Sequence, residues 1–588
     1  MFGVGVCAFV SAQQTPNAAP AFRAEGLYDY SGFDQVSLFS GGLSAQIPLT
    51  TFGAEVQVPI VLAYSSAAWE ARPTTCPPAF NICGATMRPK PSDRVGLGFK
   101  VTLGELYQPA FGSNQAINRW VYVSSDGAEH SLYPKLHPDD PQDIGDPDPP
   151  TGVFEKVMYS RDSSYVRVKC TSASYGNCTV ETADGLRHFF HNTGNSTTPS
   201  YRLESITDRF ANAVTISYDS NPTRWTLRDG YSAATPERKV VFTFQTPTSG
   251  AGDQPLLLKT IAAPCFLASG EATCRGSSDA LATWTFSYGE NPILTYPPSV
   301  FTQSPEQRAV WFLSSVELPD GSSYSFPDYA TEFHGGLEKA ILPTFGRVEW
   351  VWGSLLLPSV RNDSSCPAEL PPYAEFWSST YAVTQRRQFG LSNAALGVWN
   401  YTREPDVEEP GVGEVLTVTV ESPLHDLSQY FFAIWAANFC YTPIHQSAQW
   451  EYGLPYSRAD EDSIASTPKR LLSAKHYDCE NAENPVLEDC TLKRSVYQAW
   501  EVDDGDSIGG WNNGEVHDRN RRMRSERTIF HEPSGDKYKL TQNSNFDGLG
   551  HYRTTVLSDD VAGHDRTTSC QLALKIPPLL APNIPPFG

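Results

Sequence analysis

A serine between two glycines is the first candidate for chemistry in this sequence. Gly505-Asp-Ser-Ile-Gly509 matches the G-x-S-x-G turn that exposes a nucleophilic serine at the start of a helix in α/β-hydrolases. The residues that follow, Gly510-Trp-Asn-Asn-Gly514, have no helical period, so the helix that this role needs is not predicted. We therefore interpret Ser507 as part of a glycine-rich loop and assign no catalytic residue.

Histidines and carboxylates offer two further kinds of site, a metal site and a glycosidase pair. His188 and His191 would point to opposite faces of a strand, so they cannot share a metal ion. The acidic groups at 503–506 and 408–409 lie in loop-type sequence, without the apolar pocket that raises the pKa of a glycosidase acid. The aspartate-rich stretch 137–150 lacks the register of a calcium loop. The sequence thus predicts no metal ligand and no bound cofactor.

Eight of the 12 cysteines fall into four close couples. Such couples suit local disulfides that clip a hairpin, and none has the C-x2-C spacing of a structural zinc site. Disulfides persist in oxidising compartments, so the couples predict a secreted protein. The predicted disulfide residues are Cys76 with Cys83, Cys170 with Cys178, Cys265 with Cys274, and Cys479 with Cys490.

The N-terminus and the overall charge agree with an extracellular protein. Met1–Ala12 is a short apolar run that ends in small residues, as the end of a signal peptide does. No other stretch reaches the length of a transmembrane helix. The formal net charge of -22 repels the phosphates of nucleic acids. The sequence therefore predicts secretion or a cell-surface location, with no nucleic-acid partner and no membrane span.

Hairpins are the elements that must position these side chains. Asp126-Gly127, Asp184-Gly185 and Asp320-Gly321 each precede a short alternating stretch with aromatic residues. Asp-Gly is typical of tight hairpin turns, because it supplies the positive φ angles that such turns need. In Ser205–Asp219 we expect Val214, Ile216 and Tyr218 to face one side of a strand, and Thr215 and Ser217 the other.

Composition points to the same fold class. The chain has 43 Gly, 46 Pro and only 4 Met, and 12% of its residues are aromatic. This profile is typical of many strands and turns with few amphipathic helices. We predict an all-β fold of repeated antiparallel β-hairpins that form large curved sheets, as part of a β-shell or barrel-like wrap.

The chain divides into eight segments by composition. The breaks are a proline-rich acidic stretch, which cannot form a strand ladder, and a later irregular region that contains two consecutive prolines. The predicted segments are a signal-peptide remnant (1–12), a flexible leader (13–28), an N-terminal β region (29–136), an acidic proline-rich loop (137–150), a β-hairpin region (151–355), an irregular connection (356–395), a second β-rich region (396–560) and a proline-rich tail (561–588).

Two groups of segments carry motifs that are known from another family: Gly42–Leu49 with Leu62–Ser65, and Tyr201–Arg209 with Tyr218-Asp219. The first group is similar to the opening motif, and the second to the repeat unit, of secreted bacterial Rhs/YD-repeat proteins, so these segments resemble the N-terminal portion of that family. The long uninterrupted repeat array, the Asp-Pro-x-Gly motif and the C-terminal toxin domain of the family are not found in this sequence. The residues that match the repeat motif are Asp208, Arg209, Tyr218, Asp219, Asp320, Gly321, Asp547 and Gly548.

The resemblance implies a non-catalytic structural protein. Its hairpins would form the early wall of a β-shell that encloses or presents a cargo, with a downstream YD-repeat shell and a toxin-type payload as partners. A cell-surface adhesin or glycan-binding module is the alternative, because tryptophans such as Trp350 and Trp352 can stack on the sugars of cell-envelope glycans or else pack in a core. A secreted polysaccharide hydrolase is a further alternative. A carboxyl group of raised pKa that faces another carboxylate would favour the hydrolase.

Overall fold

The structure is a computed structural model in which the described residues form β-strands and one short 3-10 turn, Leu487–Asp489. The predicted all-β fold class is confirmed. No helix among the described residues is long and apolar enough to cross a membrane. The described residues are 28–31, 33–73, 85–90, 94–107, 120–125, 127–133, 156–160, 164–171, 176–194, 200–220, 223–229, 237–247, 254, 256–267, 280–295, 306–358, 377–391, 393, 395–406, 415–433, 471–479, 485–501, 522–546, 552–560 and 566–569.

The first strands form a five-stranded antiparallel sheet, which we call the N-terminal sheet. Residues Leu43, Ala45 and Ile47 alternate with more exposed neighbours, so one face of this sheet is buried. A separate two-stranded sheet lies between its last two strands in the chain. The N-terminal sheet contains β1 (Tyr28–Ser31), β2 (Asp34–Ser37), β3 (Leu43–Phe52), β4 (Val58–Ser65) and β7 (Phe99–Val101), and the small sheet contains β5 (Trp69–Pro73) and β6 (Ala85–Pro89).

The rest of the described chain forms one long antiparallel meander, in which each strand pairs with the next. A two-stranded excursion, β23 (Tyr329–Ala330) and β24 (Gly336–Leu337), interrupts it. The meander contains β8 (Glu105–Tyr107), β9 (Trp120–Val123), β10 (Glu129–Tyr133), β11 (Lys156–Ser160), β12 (Arg167–Cys170), β13 (Cys178–Glu181), β14 (Arg187–Asn192), β15 (Tyr201–Thr207), β16 (Ala213–Ser220), β17 (Thr223–Asp229), β18 (Glu237–Gln245), β19 (Leu257–Leu267), β20 (Ala280–Thr295), β21 (Glu306–Glu317), β22 (Ser323–Ser325), β25 (Lys339–Ile341), β26 (Arg347–Pro358), β27 (Trp377–Phe389), β28 (Ala395–Asp406), β29 (Val415–Glu421), β30 (Leu427–Ala433), β31 (Leu471–Asp478), β32 (Thr491–Glu501), β33 (Arg522–Phe530), β34 (Lys537–Phe546), β35 (Tyr552–Asp559) and β36 (Arg566–Ser569).

Strand β16 has the predicted alternation. Val214 and Ile216 are buried and Tyr218 packs against the core, whereas Thr215 is exposed and Ser217 is half-buried. Apolar side chains on one face and polar ones on the other are the pattern of a sheet that covers a core on one side.

The hairpin turns are confirmed, but their geometry differs from the prediction. In Thr182–Leu186 and Leu318–Ser322 the fourth residue donates its N–H to the carbonyl of the first, and the first donates to the carbonyl of the fifth. Gly185 (φ 86°) and Gly321 (φ 82°) are at positive φ, whereas Asp184 and Asp320 are not. These are three-residue hairpin loops that need one positive φ, rather than two-residue loops that need two.

The predicted irregular connection at 356–395 is wrong for its second half. Strand β27 fills Trp377–Phe389 and pairs with β26 along its whole length. The two consecutive prolines of this segment, at 371 and 372, favour an irregular connection. They precede β27 in the sequence, and the strand accommodates the charged Arg386 because the structure supplies it with a buried partner. The predicted N-terminal β region at 29–136 also spans three sheets, because it contains the N-terminal sheet, the small sheet β5–β6 and, in β8–β10, the start of the meander.

The core lies between the N-terminal sheet and one face of the meander. One continuous cluster of buried apolar residues runs from Val36 in the N-terminal sheet to Leu471 in β31. Large aromatic side chains fill it, among them Trp120, Phe242 and Phe432. A single core shared by two sheets fixes their relative position, because its apolar surface would be exposed to water if the sheets separated.

Candidate functional site

The contact between the N-terminal sheet and the meander, which we call the seam, extends over strands that are far apart in sequence. Phe39 packs edge-to-face against Phe432 of β30, with ring centroids 5.6 Å apart. The Tyr64 hydroxyl accepts a hydrogen bond from the Leu337 N–H at 2.8 Å, and the Trp69 Nε1 donates to the His334 carbonyl at 2.8 Å. The N-terminal sheet and the small sheet thus contact β30 and the β23–β24 excursion. The apolar core that the N-terminal sheet shares with the meander extends this contact to many other strands, so the meander curves around the N-terminal sheet.

A buried ion pair lies at the centre of the seam. Arg386 of β27 donates from Nε to Asp34 Oδ2 at 2.8 Å and from Nη2 to Asp34 Oδ1 at 3.0 Å. Trp350 Nε1 also donates to Asp34 Oδ2, at 2.9 Å. The Asp34 and Arg386 side chains are 0% and 2% exposed, and the guanidinium stacks on Trp399. A bidentate, fully buried ion pair of this kind fixes the position of β27 relative to β2, because both hydrogen bonds form only in one arrangement of the two sheets.

Arg403 of β28 attaches the same region through backbone carbonyls. Its guanidinium donates to the carbonyls of Leu38 at 2.9 Å and Ser37 at 3.1 Å in the N-terminal sheet, and of Val383 at 2.6 Å in β27. Burial lowers the pKa of Arg403 to about 10, so the side chain stays charged at neutral pH. Gly41 is required here, because its φ is +67° and a Cβ atom would lie 2.2 Å from that of Ala382.

A short segment after the small sheet docks on the meander through its backbone. The Arg94 carbonyl accepts a hydrogen bond from the Leu258 N–H at 2.9 Å, and the Leu97 N–H donates to the Trp311 carbonyl at 2.8 Å. A Cβ atom on Gly96 would lie 2.5 Å from the Leu313 nitrogen, so glycine permits this close approach.

Three β-bulges along the meander share one arrangement. In each, a strand carries an extra residue, a leucine precedes that residue, and a tyrosine hydroxyl from a later strand donates to the leucine carbonyl. Burial raises the pKa of all three phenols, which keeps them protonated as donors. The sets, in the order tyrosine, leucine and extra residue, are Tyr218–Leu203–Glu204, Tyr288–Leu258–Lys259 and Tyr329–Leu313–Ser314.

Each of these three bulges bends its strand of the meander. An extra residue bends the strand, increases its twist and leaves backbone groups outside the regular ladder. The three tyrosine hydroxyls donate to three of these groups, the leucine carbonyls. A fourth group, the Leu258 N–H, donates its hydrogen bond to the Arg94 carbonyl of the docked segment. Tyr218, which the sequence identified as a repeat-motif residue, therefore fixes a bend rather than taking part in chemistry.

The other repeat-motif residues of the first unit stabilise a turn and a strand ladder. Asp208 Oδ1 accepts hydrogen bonds from the N–H groups of Phe210 and Asn212 at 2.8 and 3.0 Å. The side-chain hydrogen bond from Asn212 and these backbone bonds lower the pKa of Asp208. Arg209 stacks on the Phe210 ring. Asp219 forms an ion pair with Arg224 of the next strand, with Nη2 and Oδ2 2.5 Å apart.

The later repeat-motif residues have the same structural role where they are described. Asp320 accepts hydrogen bonds from the Ser322 N–H at 3.0 Å and from its hydroxyl at 2.6 Å, next to Gly321 at the turn. Asp547 and Gly548 lie outside the described residues. The structure does not bring the motif residues of the two described units together into one site.

Two carboxyl groups near the start of the meander have pKa values shifted in opposite directions. Glu105 and Glu129 both stand opposite Val123, on the two strands that flank β9, so they share a face with Cα atoms about 10 Å apart. Burial raises the pKa of Glu105. Burial alone would also raise the pKa of Glu129, but the ammonium groups of Lys90 and Lys100 hold it below its usual value.

The environment of Glu129 is that of a structural ion pair. Its Oε1 lies 3.0 Å from Lys90 Nζ and 3.6 Å from Lys100 Nζ. Lys100 belongs to β7, so this group of charges joins the N-terminal sheet to β10. No hydrogen bond to the Glu105 side chain is found within the described part of the chain.

His188 and His191 lie on opposite faces of β14, as the strand period predicted. His188 is buried, and its Nδ1 lies 3.1 Å from the Tyr122 hydroxyl. Burial lowers the pKa of His188 to about 4, so the imidazole is neutral at neutral pH. His191 is half-buried on the other face of β14. Within the described ranges, no three His, Cys, Asp or Glu side chains are grouped to hold a metal ion.

Two of the four predicted disulfides are confirmed. Cys170 and Cys178 are bonded and stand directly opposite each other on β12 and β13. Cys479 and Cys490 are bonded across the connection from β31 to β32. Both bonds close a hairpin, as the spacing predicted. Cys76, Cys83 and Cys274 and the side chain of Cys265 lie outside the described residues, as do Ser507 and the acidic groups at 503–506 and 408–409.

The tryptophan pair belongs to the core. Trp350 and Trp352 are 2% and 7% exposed and point to the same side of β26. Trp350 bonds to Asp34, and Trp352 Nε1 donates to the Leu337 carbonyl at 2.9 Å. Neither ring is available to stack on a sugar, so core packing is the correct interpretation for both.

The face of the meander that forms the seam becomes polar after β31. Directly opposed residues on neighbouring strands share a face, which allows one row to be followed across the sheet. At the start of this row Tyr430 packs against the apolar core and Ala474 is buried. The last three members of the row, Thr528, Lys539 and Asp559, are polar. The row is Tyr430, Ala474, Val496, Thr528, Lys539 and Asp559. Strands β33–β35 thus present a hydrophilic surface on the side where earlier strands cover the apolar core.

Sequence reasoning missed the residues that form the seam. Asp34 and Arg386 are separated by 352 positions, and neither lies in a motif. The bulges had a local signal, because each Leu-x-Ser/Thr-Ile/Val stretch, such as Leu203–Ile206, contains a bulge and is followed by its tyrosine. No protein-family model and no curated protein matches this sequence.

Proposed function

We propose that this chain is a non-catalytic secreted structural protein, the early wall of an Rhs/YD-type β-shell that encloses or presents a cargo. One observation carries the proposal: a long antiparallel meander curves around the N-terminal sheet and then continues as a wall with a polar inner row. Lys539 and Asp559 mark that row in the last strands. A wall that encloses a hydrated cargo needs such a surface, because an apolar one would collapse on itself.

Enclosure follows from the way the strands are joined. Each strand of the meander pairs with its neighbours, so most backbone N–H and C=O groups are used within the sheet. The tyrosine-clipped bulges bend the sheet at fixed places, and the seam holds the first part of the curve. The Cys170–Cys178 and Cys479–Cys490 disulfides support an extracellular location, where such bonds persist.

The test is the mass of the native product in its own organism. Culture medium and cell fractions are probed with an antibody against this chain, under reducing and non-reducing conditions, and the captured product is weighed by mass spectrometry. The proposal expects a product that carries or co-isolates a further polypeptide beyond the 64.7 kDa of this chain. A product of that mass alone, with nothing bound, would remove the support for enclosure and favour an adhesin.

A polysaccharide hydrolase is the second candidate, favoured by the opposite pKa shifts of Glu105 and Glu129. An inverting glycosidase uses one carboxyl group of raised pKa as its acid and one carboxylate of lower pKa as its base, and Glu105 and Glu129 are such groups on one face of the sheet. Release of reducing sugars from cell-envelope polysaccharide would be abolished by Glu105→Gln and retained by the exposed control Glu317→Gln. Absence of sugar release from the unaltered protein would exclude this candidate.

A further inference from the structure

A serine, a histidine and an aspartate near the end of the meander are hydrogen-bonded in the order that a serine hydrolase uses. Ser495 Oγ lies 2.9 Å from His531 Nε2, and His531 Nδ1 lies 3.0 Å from Asp536 Oδ1. With Nδ1–H donating to the carboxylate, Nε2 is the nitrogen that accepts the serine proton. Each ring nitrogen therefore has the partner that it has in a Ser-His-Asp triad.

Strand pairing places the serine and the histidine on one face. Ser495 of β32 stands opposite Ile529 of β33, so His531, two residues later, points to the same side. The His531 N–H donates to the Lys493 carbonyl at 2.9 Å, which continues the ladder by one position beyond β33. The two side chains are thus diagonal neighbours on adjacent strands.

The turn between β33 and β34 returns the aspartate to the histidine. Phe530 pairs with Lys537, so His531 and Asp536 occupy the next opposed positions of the hairpin. Gly535 in this turn has a φ of +119°, a conformation that glycine reaches without strain. One hairpin therefore supplies both the imidazole and its carboxylate, and the neighbouring strand supplies the serine.

A second serine on this face is buried without a partner. Ser473 of β31 lies two residues before Lys475, which stands opposite Ser495, so the two serines are diagonal neighbours. Ser473 is 0% exposed, and its Oγ has no hydrogen-bond partner within the described part of the chain. An unsatisfied buried hydroxyl costs free energy, which a bound ligand can recover. Its O–H can donate to a carbonyl oxygen bound next to Ser495, as an oxyanion-hole donor does.

The burial of Ser495 restricts the substrate to a small acyl group. Ser495 is 0% exposed, whereas the His531 and Asp536 side chains are 23% and 60% exposed. A substrate therefore reaches the serine beside the imidazole, and only when a neighbouring side chain moves. Lys475, opposite Ser495, has a long flexible side chain whose Nζ lies 5.3 Å from the centroid of the Phe431 ring. An acetyl group needs less displacement of such neighbours than a longer acyl chain.

We propose that Ser495, His531 and Asp536 form the catalytic site of an esterase for short-chain acyl esters. Ser495 Oγ bonds to the ester carbonyl carbon while its proton passes to His531 Nε2, and the Ser473 hydroxyl donates to the carbonyl oxygen. The tetrahedral intermediate then breaks its bond to the alcohol oxygen, which takes the proton from His531. Water attacks the acyl group by the same route and releases the carboxylic acid and free Ser495. This activity goes beyond the structural role proposed for the wall and does not depend on enclosure of a cargo.

The test treats the full chain with methanesulfonyl fluoride, a small reagent that sulfonylates activated serines, and locates the adduct by peptide mass spectrometry. Cleavage of p-nitrophenyl acetate and p-nitrophenyl octanoate is measured in parallel. The variants are Ser495→Ala and Asp536→Asn, and circular dichroism with thermal unfolding checks that each folds. The matched control is Ser428→Ala, because Ser428 Oγ lies 2.9 Å from His476 Nδ1, the ring nitrogen that a triad reserves for the carboxylate.

The expected result is an adduct on Ser495 and cleavage of the acetate ester. The kcat/KM for this ester should fall at least about 100-fold in Ser495→Ala and at least about 10-fold in Asp536→Asn, and should stay unchanged in the control variant. The octanoate ester should be cleaved more slowly than the acetate ester. The proposal is overturned if the reagent leaves Ser495 unmodified, or if Ser495→Ala and Ser428→Ala cleave the acetate ester at the same rate. Faster cleavage of the octanoate ester would overturn the assignment to short acyl chains.

Discussion

Removing the charge of Asp34 should loosen the seam more than any change at an exposed ion pair. Asp34→Asn keeps an oxygen that can accept the hydrogen bond from Trp350, but it leaves the Arg386 guanidinium buried without a counter-charge. A buried pair broken in this way costs about 3–5 kcal/mol. Since about 1.4 kcal/mol is a factor of ten, the open form of the seam should become at least about 100-fold more populated.

Hydrogen exchange measures this opening directly. The Val383 N–H donates to the Gly41 carbonyl across the seam at 2.9 Å, so its exchange reports separation of the two sheets. We expect exchange at Val383 to accelerate by the same factor in Asp34→Asn. The control is Asp328→Asn, which breaks the half-exposed pair with Lys339 and should cost about 1 kcal/mol or less.

A double variant separates loss of the pair from loss of one charge. Asp34→Asn combined with Arg386→Met removes both charges, and such replacements are often close to neutral in stability. The double variant should therefore recover most of the protection at Val383. The reasoning is refuted if Asp34→Asn exchanges no faster than Asp328→Asn, or if the effects of the two single substitutions simply add.

Three further predictions concern a turn, a bulge and a titrating group. Gly321→Ala should lower the free energy of unfolding by about 1 kcal/mol; φ is +82° and no atom lies within 4 Å of the added Cβ, so the cost comes from the backbone conformation and not from a clash. Ala211→Gly, at a φ of 66°, should raise the melting temperature for the same reason, and shifts of the same sign in the two variants would contradict this. Tyr218→Phe removes the donor to the Leu203 carbonyl and should cost about 1–3 kcal/mol in thermal unfolding, while Tyr324→Phe should have almost no effect. His188 has a folded pKa of about 4, below its ordinary 6.5, so the unfolded chain binds the proton first and stability should fall, by up to about 3 kcal/mol, as pH drops from about 6.5 to about 4. Calorimetry across that range should show a shallower slope for His188→Gln, and an unchanged slope would contradict the assignment.

Local sequence was sufficient to predict the hairpins. The alternation of Val214, Ile216 and Tyr218 follows from the period of a strand, and the Asp-Gly pairs mark turns because glycine reaches positive φ without strain. The disulfides at Cys170–Cys178 and Cys479–Cys490 followed from close spacing alone. These features depend on interactions between residues that are near each other in the chain.

The seam could not be predicted in the same way. Arg386 lies in the segment 356–395, which the sequence predicts as an irregular connection, and it is accommodated in β27 because Asp34, far away in sequence, neutralises its charge. The pairing of Tyr218 with the Leu203 carbonyl depends on a bulge, which shifts the strand by one residue and is not visible in a simple two-residue period. Long-range partners and irregular registers therefore required the structure.

Protease protection of the native product tests the central claim, that this chain is part of an enclosing wall, most directly. The product is isolated from its own organism under non-reducing conditions and digested, and mass spectrometry identifies the polypeptides that survive before and after the wall is unfolded. The account predicts a second polypeptide that resists the protease together with the meander and becomes sensitive once the wall unfolds. Complete digestion of all other polypeptide while strands β8–β36 stay intact would contradict it.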